Sequence, residues 1–375
     1  MDHIERGTFQ AISKSEATRV ARKLVAWFHR NRRDLPWRHD RDPYRIWVSE
    51  VMLQQTTVNQ VVPYFHRFML AFPNLNALAQ ADEQEVLRVW EGLGYYRRAR
   101  DLLAAAKIVK LKHGGIVPSD PEQLGELPGM GRYTRNAILS QAFDLRFPIV
   151  EANSQRVLCR LFGQTGSPKD SLVFKWLWTA SEGLLPSRQV GNFNQALMEL
   201  GALVCTPSHP RCTECPISNF CFAFHQGLQE EIPPAPRPAS IELVQEAAGL
   251  IYHNRRVLLV QRPSVGRWAN MWEFPHGPIQ KKEEPDDALV RLILELCGLT
   301  VEIQQEITVL KHAVTRFRIS VACFEATCVS GKLQSEFYQS AKWLRPEELS
   351  DYPVSVPYRR LAKSLISPSR QQRLF

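Results

Sequence analysis

The feature that most limits what this chain can fold into is a change of hydrophobic period partway along it. From Ser15 to about Ala223 apolar residues recur at three-and-four spacing, the signature of amphipathic helices. It is plain in "ATRVARKLVAWFHR", "YRIWVSEVMLQQTTVNQVV", "DEQEVLRVWEGLG", "YRRARDLLAAAKIVKLKHGG" and "NFNQALMELGALVC". Gly or Pro marks several helix ends. "PEQLGELPGMGRYTRNAILSQAF" reads as helix, tight turn, helix, at about 122–143. Then "EEIPPAPRPAS" (230–240) brings four prolines in eleven residues and reads as an extended tether. Beyond it the period shortens. "QEAAGLIYHNRRVLLVQRP" predicts two strands around an "HNRR" turn, "HAVTRFRISVACFEATCV" another long strand, and "EPDDALVRLILELCGL" a helix between them. The expectation is a multidomain chain: an all-α part over 1–228, a linker over 229–241, an α/β part over 242–366 and a tail over 367–375.

Charge narrows the partners. The formal net charge is +9, and residues 1–228 hold 28 Lys and Arg against 21 Asp and Glu, while the remainder holds 19 against 17. A basic first half suggests an anionic partner, most simply nucleic acid, although a basic protein without one stays open. No apolar run reaches the eighteen or so residues of a membrane span, and "MDHIERGTFQAISKSEATRV" lacks the apolar core of a secretory signal. The expected address is intracellular, with no membrane partner: cytoplasmic and nucleoid-associated if the source is bacterial.

Eight cysteines occur, four of them packed into "CTPSHPRCTECPISNFC". Cys205, Cys212, Cys215 and Cys221 follow C-x6-C-x2-C-x5-C. Zinc sites usually come as two close pairs; here only the central pair is close, and four thiolates on one compact loop suit a [4Fe-4S] cluster. Zinc remains the alternative. The loop between the first two ligands is expected to project His209 and Arg211 toward a phosphate backbone.

This cysteine loop at the end of a helical domain, with "LPGMGRYT" (127–134) about eighty residues upstream, resembles the helix–hairpin–helix DNA glycosylase superfamily, whose endonuclease III and MutY branches carry the cluster. The resemblance implies that backbone N–H groups freed by Gly129 and Gly131 hold a DNA phosphate at a helix N-terminus, with a monovalent cation at the hairpin. Lyase-competent members carry a Lys where this chain has Tyr133, and no lysine lies between Lys112 and Lys169. Tyr133 fits the MutY branch, monofunctional adenine DNA glycosylases acting on adenine opposite 8-oxoguanine. "RRDLPWR", "IWVSEVMLQQTTV", "EGLGYYRRARDL" and "NFNQALMELGALVC" resemble that branch too, and its members continue into a C-terminal MutT-like domain.

The chemistry of such a reaction follows from residue types. A buried adenine must be flipped out, and it leaves more readily once protonated. Glu50, in the apolar "WVSEVML", is the candidate general acid, since burial would keep it protonated. The growing positive charge on the sugar needs a carboxylate. Where the family has Asp in a D-G-N stretch, this chain reads Glu151, Ala152, Asn153. Glutamate is longer by about 1.5 Å, so three readings stand: it folds back and does the aspartate's work, it works slowly, or the protein binds its lesion and hardly cuts. A helix-capping role is less expected, because Asn153 or Ser154 would cap better. By resemblance, Asn153 and Tyr133 orient the carboxylate and water, Gln55 and Tyr95 wedge beside the oxidised guanine, and Arg33, Leu35, Trp37, Arg38 and Gln195 line the adenine pocket. For Leu35 and Trp37 a plain core role stays open.

In the C-terminal part a working Nudix motif needs G-x5-E-x7-R-E-U-x-E-E-x-G-U. From Gly277 the chain supplies Glu283, Arg291, Glu295 and Gly298, but Leu292 and Leu296 stand where two metal-binding carboxylates belong. A recognition module is expected rather than a hydrolase, with Thr315 in "HAVTRFRIS" bonding to 8-oxoguanine and Arg316 standing where the family usually has His. The final Gln371–Phe375, "QQRLF", resembles a peptide that docks into the bacterial sliding clamp, against the alternative of a frayed tail. The whole is read as a monomer. The rival readings are a glycosylase for another mispaired base, such as thymine opposite guanine, and a lesion binder without catalysis.

Overall fold

The computed structural model describes residues 12–235 and 240–366; the clamp-like peptide Gln371–Phe375 lies outside them. In chain order the helices of the first part are α1 Lys14–Asn31, α2 Pro43–Leu53, α3 Val58–Ala71, α4 Leu75–Gln80, α5 Glu83–Trp90, α6 Arg97–Lys112, α7 Pro121–Gly125, α8 Arg132–Phe143, α9 Ala152–Phe162, α10 Ser171–Leu184, α11 Val190–Leu203 and α12 Phe222–Gln226. Two compact units result: Met1–Ala79 with Ala104–Arg237, and Gln80–Leu103 with Pro238–Phe375. Among the described residues no helix is long and apolar enough to cross a membrane.

In the first unit the helices start where short polar side chains satisfy the free N–H groups of the first turn. Ser13 caps α1 in a reciprocal box with Glu16, and Asp42 caps α2 just ahead of Pro43. The apolar stripe of α1, from Val20 to Phe28, joins Val157, Leu158, Leu161, Phe193, Leu197 and Leu200 of α9 and α11 in one core. The chain stays packed past residue 228: Ile232 is buried in that core. α2 is buried on nearly every side, Ser49 and Glu50 included. A helix apolar all round belongs inside, so a carboxylate on it has no route to bulk water.

The hairpin between α7 and α8 packs Leu127 and Met130 inward. Gly129 has φ +71°, which only glycine takes without strain. Gly131, the N-cap of α8, provides no side-chain cap, and a Cβ there would meet no protein atom. The N-terminus of α8 is thereby left open to an approaching group.

The second unit is an α/β layer. Its strands are β1 Glu242–His253, β2 Arg256–Gln261, β3 Trp272–Glu273, β4 His276–Pro278, β5 Leu299–Val314, β6 Phe317–Gly331 and β7 Ser340–Leu344. The sheet runs β3-β2-β1-β6-β5, with β4 added on β1 and β7 on β2, and only β1 and β6 pair in parallel among these named strands. Helices α13 Pro285–Cys297 and α14 Val356–Ile366 cover its faces. Alternation along β1 and β2 sends Ala247, Ile251, Leu258 and Val260 to α13, and Ala248, Leu250, Val257 and Leu259 to α14. A sheet buried on both sides explains why "AAGLIY" and "VLLV" read as continuous apolar runs. The expected turn at "HNRR" is a two-residue hairpin with Asn254 and Arg255 both at positive φ. The long strand expected across "HAVTRFRISVACFEATCV" is corrected: the chain reverses at Thr315 and Arg316 between β5 and β6, with Thr315 at φ +51°. Alternation on either side of a two-residue turn hides the break.

Segment 80–103 belongs to this unit. Arg359 of α14 grips Glu91 at 2.7 and 2.8 Å, and Trp272 Nε1 donates to Gln84 Oε1 at 2.9 Å.

Candidate active site

Three elements of the helical unit converge: the middle of α2, the buried side of α8 and the first turn of α9. Glu50 is 4% exposed. Tyr133 Oη donates to its Oε2 at 2.7 Å and Gln141 Nε2 donates to its Oε1 at 2.7 Å. Burial raises the Glu50 pKa. The bonds from Tyr133 and Gln141 and the charge of Arg38 oppose that rise, and the charge of Glu151 adds to it. Desolvation wins because the donors are neutral. Burial thus favours the protonated form of Glu50.

Glu151 contradicts the expectation that Asn153 or Ser154 would cap α9. It is itself the N-cap: its Oε1 accepts from Ser154 N at 2.7 Å, and its Oε2 accepts from Asn153 N at 2.9 Å and Asn153 Nδ2 at 3.2 Å. Ser154 Oγ returns the favour by accepting from Glu151 N at 2.8 Å. The extra methylene lets the carboxylate curl back over the helix N-terminus, where the helix dipole favours an anion. Burial raises its pKa, while the backbone donors of Asn153 and Ser154 pull the other way. Tyr133 lies within the field of both carboxylates, but its hydroxyl bonds to Glu50, so its expected role of orienting the second carboxylate passes to Asn153.

A cavity of about 250 Å³ has Trp37, Arg38, Ile46, Gln141, Gly191 and Gln195 in its wall together with Arg32, Asp40 and Arg41; neither Glu50 nor Glu151 lines it, and Gln141 is its link to Glu50. The cavity is smaller than the roughly 300–1,000 Å³ of drug-sized sites and suits one small ring system. Of the residues expected around an adenine, Trp37, Arg38 and Gln195 share this wall. Arg33 and Leu35 do not line it. Leu35 is buried, and Arg33 joins Arg38 in clamping Glu199 through contacts of 2.8 to 3.2 Å. Burial alone would raise the Glu199 pKa, but the two guanidinium groups hold it down at about 2.

Gln55 is exposed and lies two residues beyond the end of α2, with φ +58°, so the helical placement read for it is corrected. Tyr95, 48% exposed, has φ +48°. Left-handed backbone at non-glycine residues costs energy and recurs at functional positions. Thr315, at the tip of the β5–β6 turn, donates its hydroxyl to Val314 O at 2.7 Å, while Arg316 pairs with Glu242 at 2.8 Å. Leu292 is buried in the α13 core, so close that a Cβ on Gly277 would come within 2.5 Å of it. Arg291 holds the remaining Glu283 and Glu295 at 2.7 and 3.1 Å.

The four cysteines gather at the C-terminal end of α11. Buried Arg160 of α9 threads between them: Nη1 donates to Cys205 Sγ at 3.3 Å and to Thr206 O at 2.7 Å, and Nε donates to Ile232 O at 2.8 Å. Burial pushes Cys215 up to about 12 and Cys221 up to about 11, and the thiols oppose one another's ionisation. The four thiols feel one another's charge, and although among the described residues no three metal-ligating side chains are drawn together as a bound metal would hold them, four cysteines on one loop are the donor type an iron–sulfur cluster takes. Arg156 links this loop to the carboxylate, donating to Cys205 O at 2.7 Å and to Asn153 Oδ1 at 2.9 Å. His209 and Arg211 are exposed as expected, beside Glu230 and Glu214 respectively.

Sequence reasoning missed Gln141 and Glu199. The signal for Gln141 was an amide inside "AILSQAF", where the neighbouring Ala137, Ile138, Leu139 and Ser140 are fully buried.

Residues 48–182 match the model described as HhH-GPD superfamily base excision DNA repair protein, 205–221 the iron-sulfur binding domain of endonuclease III, and 247–364 the NUDIX domain. The chain is 33% identical over 402 residues to the adenine DNA glycosylase of Mus musculus, covering 92% of this chain and 78% of that one. It is 37% identical over 262 residues to the adenine DNA glycosylase of Buchnera aphidicola subsp. Acyrthosiphon pisum, covering 70% and 74%. Among solved structures, a thermostable thymine-DNA glycosylase aligns with TM-score 0.52 at 30% identity, covering 57% of this chain and all of that one.

Proposed function

This chain belongs to the adenine DNA glycosylase family, and on that premise we propose that it excises adenine mispaired with 8-oxoguanine or guanine by hydrolysing the N-glycosidic bond. It is a DNA-binding base excision repair glycosylase with a [4Fe-4S] cofactor. The observation that carries the reading is Glu50: a carboxyl inside an apolar helix whose hydrogen bonds come from two neutral donors, one of which, Gln141, stands in the wall of a small cavity.

The flipped adenine enters the cavity against Trp37, Arg38 and Gln195. Glu50 gives its proton to the ring at N7. The C1′–N9 bond breaks with its electron pair passing to the base, which leaves neutral. The carboxylate of Glu151, held at the N-terminus of α9, faces the positive charge developing on the sugar. Water adds at C1′, and the proton it loses returns to solvent as Glu50 is recharged. Tyr133 in place of a lysine leaves no amine for a Schiff base, which makes the enzyme monofunctional. Cys205, Cys212, Cys215 and Cys221 would hold the cluster, which when bound would cross-link the loop from which His209 and Arg211 meet the DNA backbone.

The open N-terminus of α8 takes a phosphate through Gly129 and Gly131, with a monovalent cation beside it. Gln55, Tyr95 and Thr315 read the oxidised guanine. The enzyme acts as a monomer in the cytoplasm, at the nucleoid, and Gln371–Phe375 docks into the sliding clamp.

Single-turnover assays on duplexes bearing A opposite 8-oxoguanine, A opposite G and T opposite G test the reading. Free adenine from the first, lost in Glu50→Gln, supports it. Release of thymine from the last would favour the second reading, which the likeness to a thymine-DNA glycosylase motivates. Tight binding without release would leave only a lesion binder.

A further inference from the structure

We propose that Gln141 is a positioning residue for the general acid: it holds one carboxyl oxygen of Glu50 while Tyr133 holds the other, so that the acid is kept in one orientation. This rests on the reading of Glu50 as the proton donor.

The argument starts from cost. Gln141 is 7% exposed, on a helix whose preceding residues Ala137 to Ser140 are fully buried. A leucine would fill that position with no polar group to satisfy, whereas a buried amide is tolerated only if it is bonded. Its bond goes to Glu50 Oε1, at 2.7 Å. α8 thus delivers three polar side chains to α2: Tyr133 and Gln141 to Glu50, and Thr134, whose Oγ1 accepts from Gln54 Nε2 at 3.1 Å. The last fixes the two helices against each other without touching the acid. The first two clamp it.

Gln141 also stands in the cavity wall with Trp37, Arg38 and Gln195, and Glu50 is not among the lining residues. A ring entering the cavity therefore meets the amide at the edge of the acid. With Oε1 and Oε2 each tied to a separate donor, the carboxyl cannot rotate about its own bond, and its proton has a single direction of delivery. A reacting group misplaced by about 1 Å can lose on the order of a hundredfold in rate. A freely turning carboxyl is misplaced for much of the time.

The charged and titratable groups bearing on Glu50 are the Tyr133 hydroxyl from α8, the Glu151 carboxylate from the start of α9 and the Arg38 guanidinium from the turn before α2. Gln141→Met keeps the volume and removes the donor. Burial and Glu151 then act on Glu50 with less opposition, and the acid keeps its proton to higher pH.

The test is single-turnover adenine release from a duplex with A opposite 8-oxoguanine, measured across pH on the cluster-loaded full chain for wild type, Glu50→Gln and Gln141→Met. The expected result is a plateau rate about tenfold below wild type in Gln141→Met, with the alkaline limb moved to higher pH and duplex affinity unchanged. Gln141→Asn draws the amide back by one methylene and is expected to act in the same direction. It serves if the Met variant loses its cluster absorbance. A Gln141→Met enzyme that matches wild type in rate and alkaline limb overturns the proposal, and so does one that is slower with the limb unmoved. Wild type that releases no adenine, or Glu50→Gln that releases it normally, defeats the underlying reading of the reaction and this inference with it.

Discussion

Two buried helices treat carboxylates in opposite ways. α2 keeps Glu50 in the core of the helical unit, at 4% exposure. α13 carries Leu292 and Leu296 where a working Nudix motif has acids, and Leu292 seals against Gly277 within van der Waals distance. A buried carboxyl costs stability unless something is bonded to it, so a chain keeps one only where it is used. In the first unit two donors hold the acid, one of them in a cavity wall; in the second the helix has gone over to packing at Leu292. A third case sharpens the point. Glu199 is as buried as Glu50, but two guanidinium groups hold it ionised with a pKa of about 2, whereas Glu50, facing neutral donors, is pushed upward. Between these two, the charge of the partners rather than depth separates the directions, and Glu273, raised to about 8 by burial against a single guanidinium from Arg262, shows that one cation is not always enough.

The comparison breaks most directly at Glu50. Glu50→Gln keeps shape and both bonding positions but has no proton to give, and single-turnover adenine release should fall by about 10²–10⁴ with duplex affinity retained. Activity surviving at a tenth of wild type would mean Glu50 is kept for structure, as Glu199 is. Glu151→Ala comes next. It removes the carboxylate and the helix cap together, so rate should drop by about a hundredfold or more and stability by about 1 kcal/mol, read by denaturant melts. Glu151→Asp keeps a residue type that caps well and should hold both within a few-fold.

The two acids also set a pH window. Glu50 must be protonated, so rate is lost as pH rises through its pKa; Glu151 must be ionised, so rate is lost as pH falls through its own. Both are raised by burial, the backbone donors at Glu151 favour its ionised form, and the proposed reaction requires that Glu151 lose its proton first. The rate profile should be a bell with its acid limb above the ordinary carboxylate range, its limbs belonging to the coupled pair. A profile flat across the neutral range would show that proton delivery is not limiting.

On the other side of the comparison, Leu292→Glu restores a motif letter but places a charge against Gly277 in a sealed core. Loss of about 2–3 kcal/mol in the second unit is expected, seen as a lower melting temperature, with no Mg²⁺-dependent pyrophosphatase activity, because Leu296 still blocks a second ligand position. Gain of that activity would show that α13 had kept a metal site in reserve.

These contrasts were only partly legible in the sequence. Hydrophobic period separates the helical part from the α/β part because one face of each helix and both faces of the sheet must be buried. The "HNRR" turn and the cysteine spacing are local signals and read true. The capping role of Glu151 was missed because capping preferences describe short side chains, and nothing local says that a longer one folds back. Gln141 was passed over because its partner lies 91 residues away. Glu199 escaped notice for the same reason: Arg33 and Arg38 were read as pocket residues, and a clamp on a distant carboxylate has no one-dimensional trace. The reversal at Thr315 was hidden because residues on both sides keep the alternating pattern of strands.

That reversal supports the smallest prediction. Thr315 has a branched Cβ and φ +51°, a region that disfavours such side chains, and its hydroxyl is turned back onto Val314 O. Backbone strain of this kind costs about 1–3 kcal/mol and survives where the residue serves something other than folding. Thr315→Gly removes the strain and the hydroxyl together. If the hydroxyl reads 8-oxoguanine, the variant should melt slightly higher, by about 1 kcal/mol, while its preference for 8-oxoguanine over guanine opposite adenine falls by about five- to tenfold, the worth of one hydrogen bond. Adenine release from the A opposite G duplex should stay unchanged. A variant that gains stability and keeps its full preference would reduce Thr315 to an ill-suited turn residue, and the second unit would then read the lesion from some other surface.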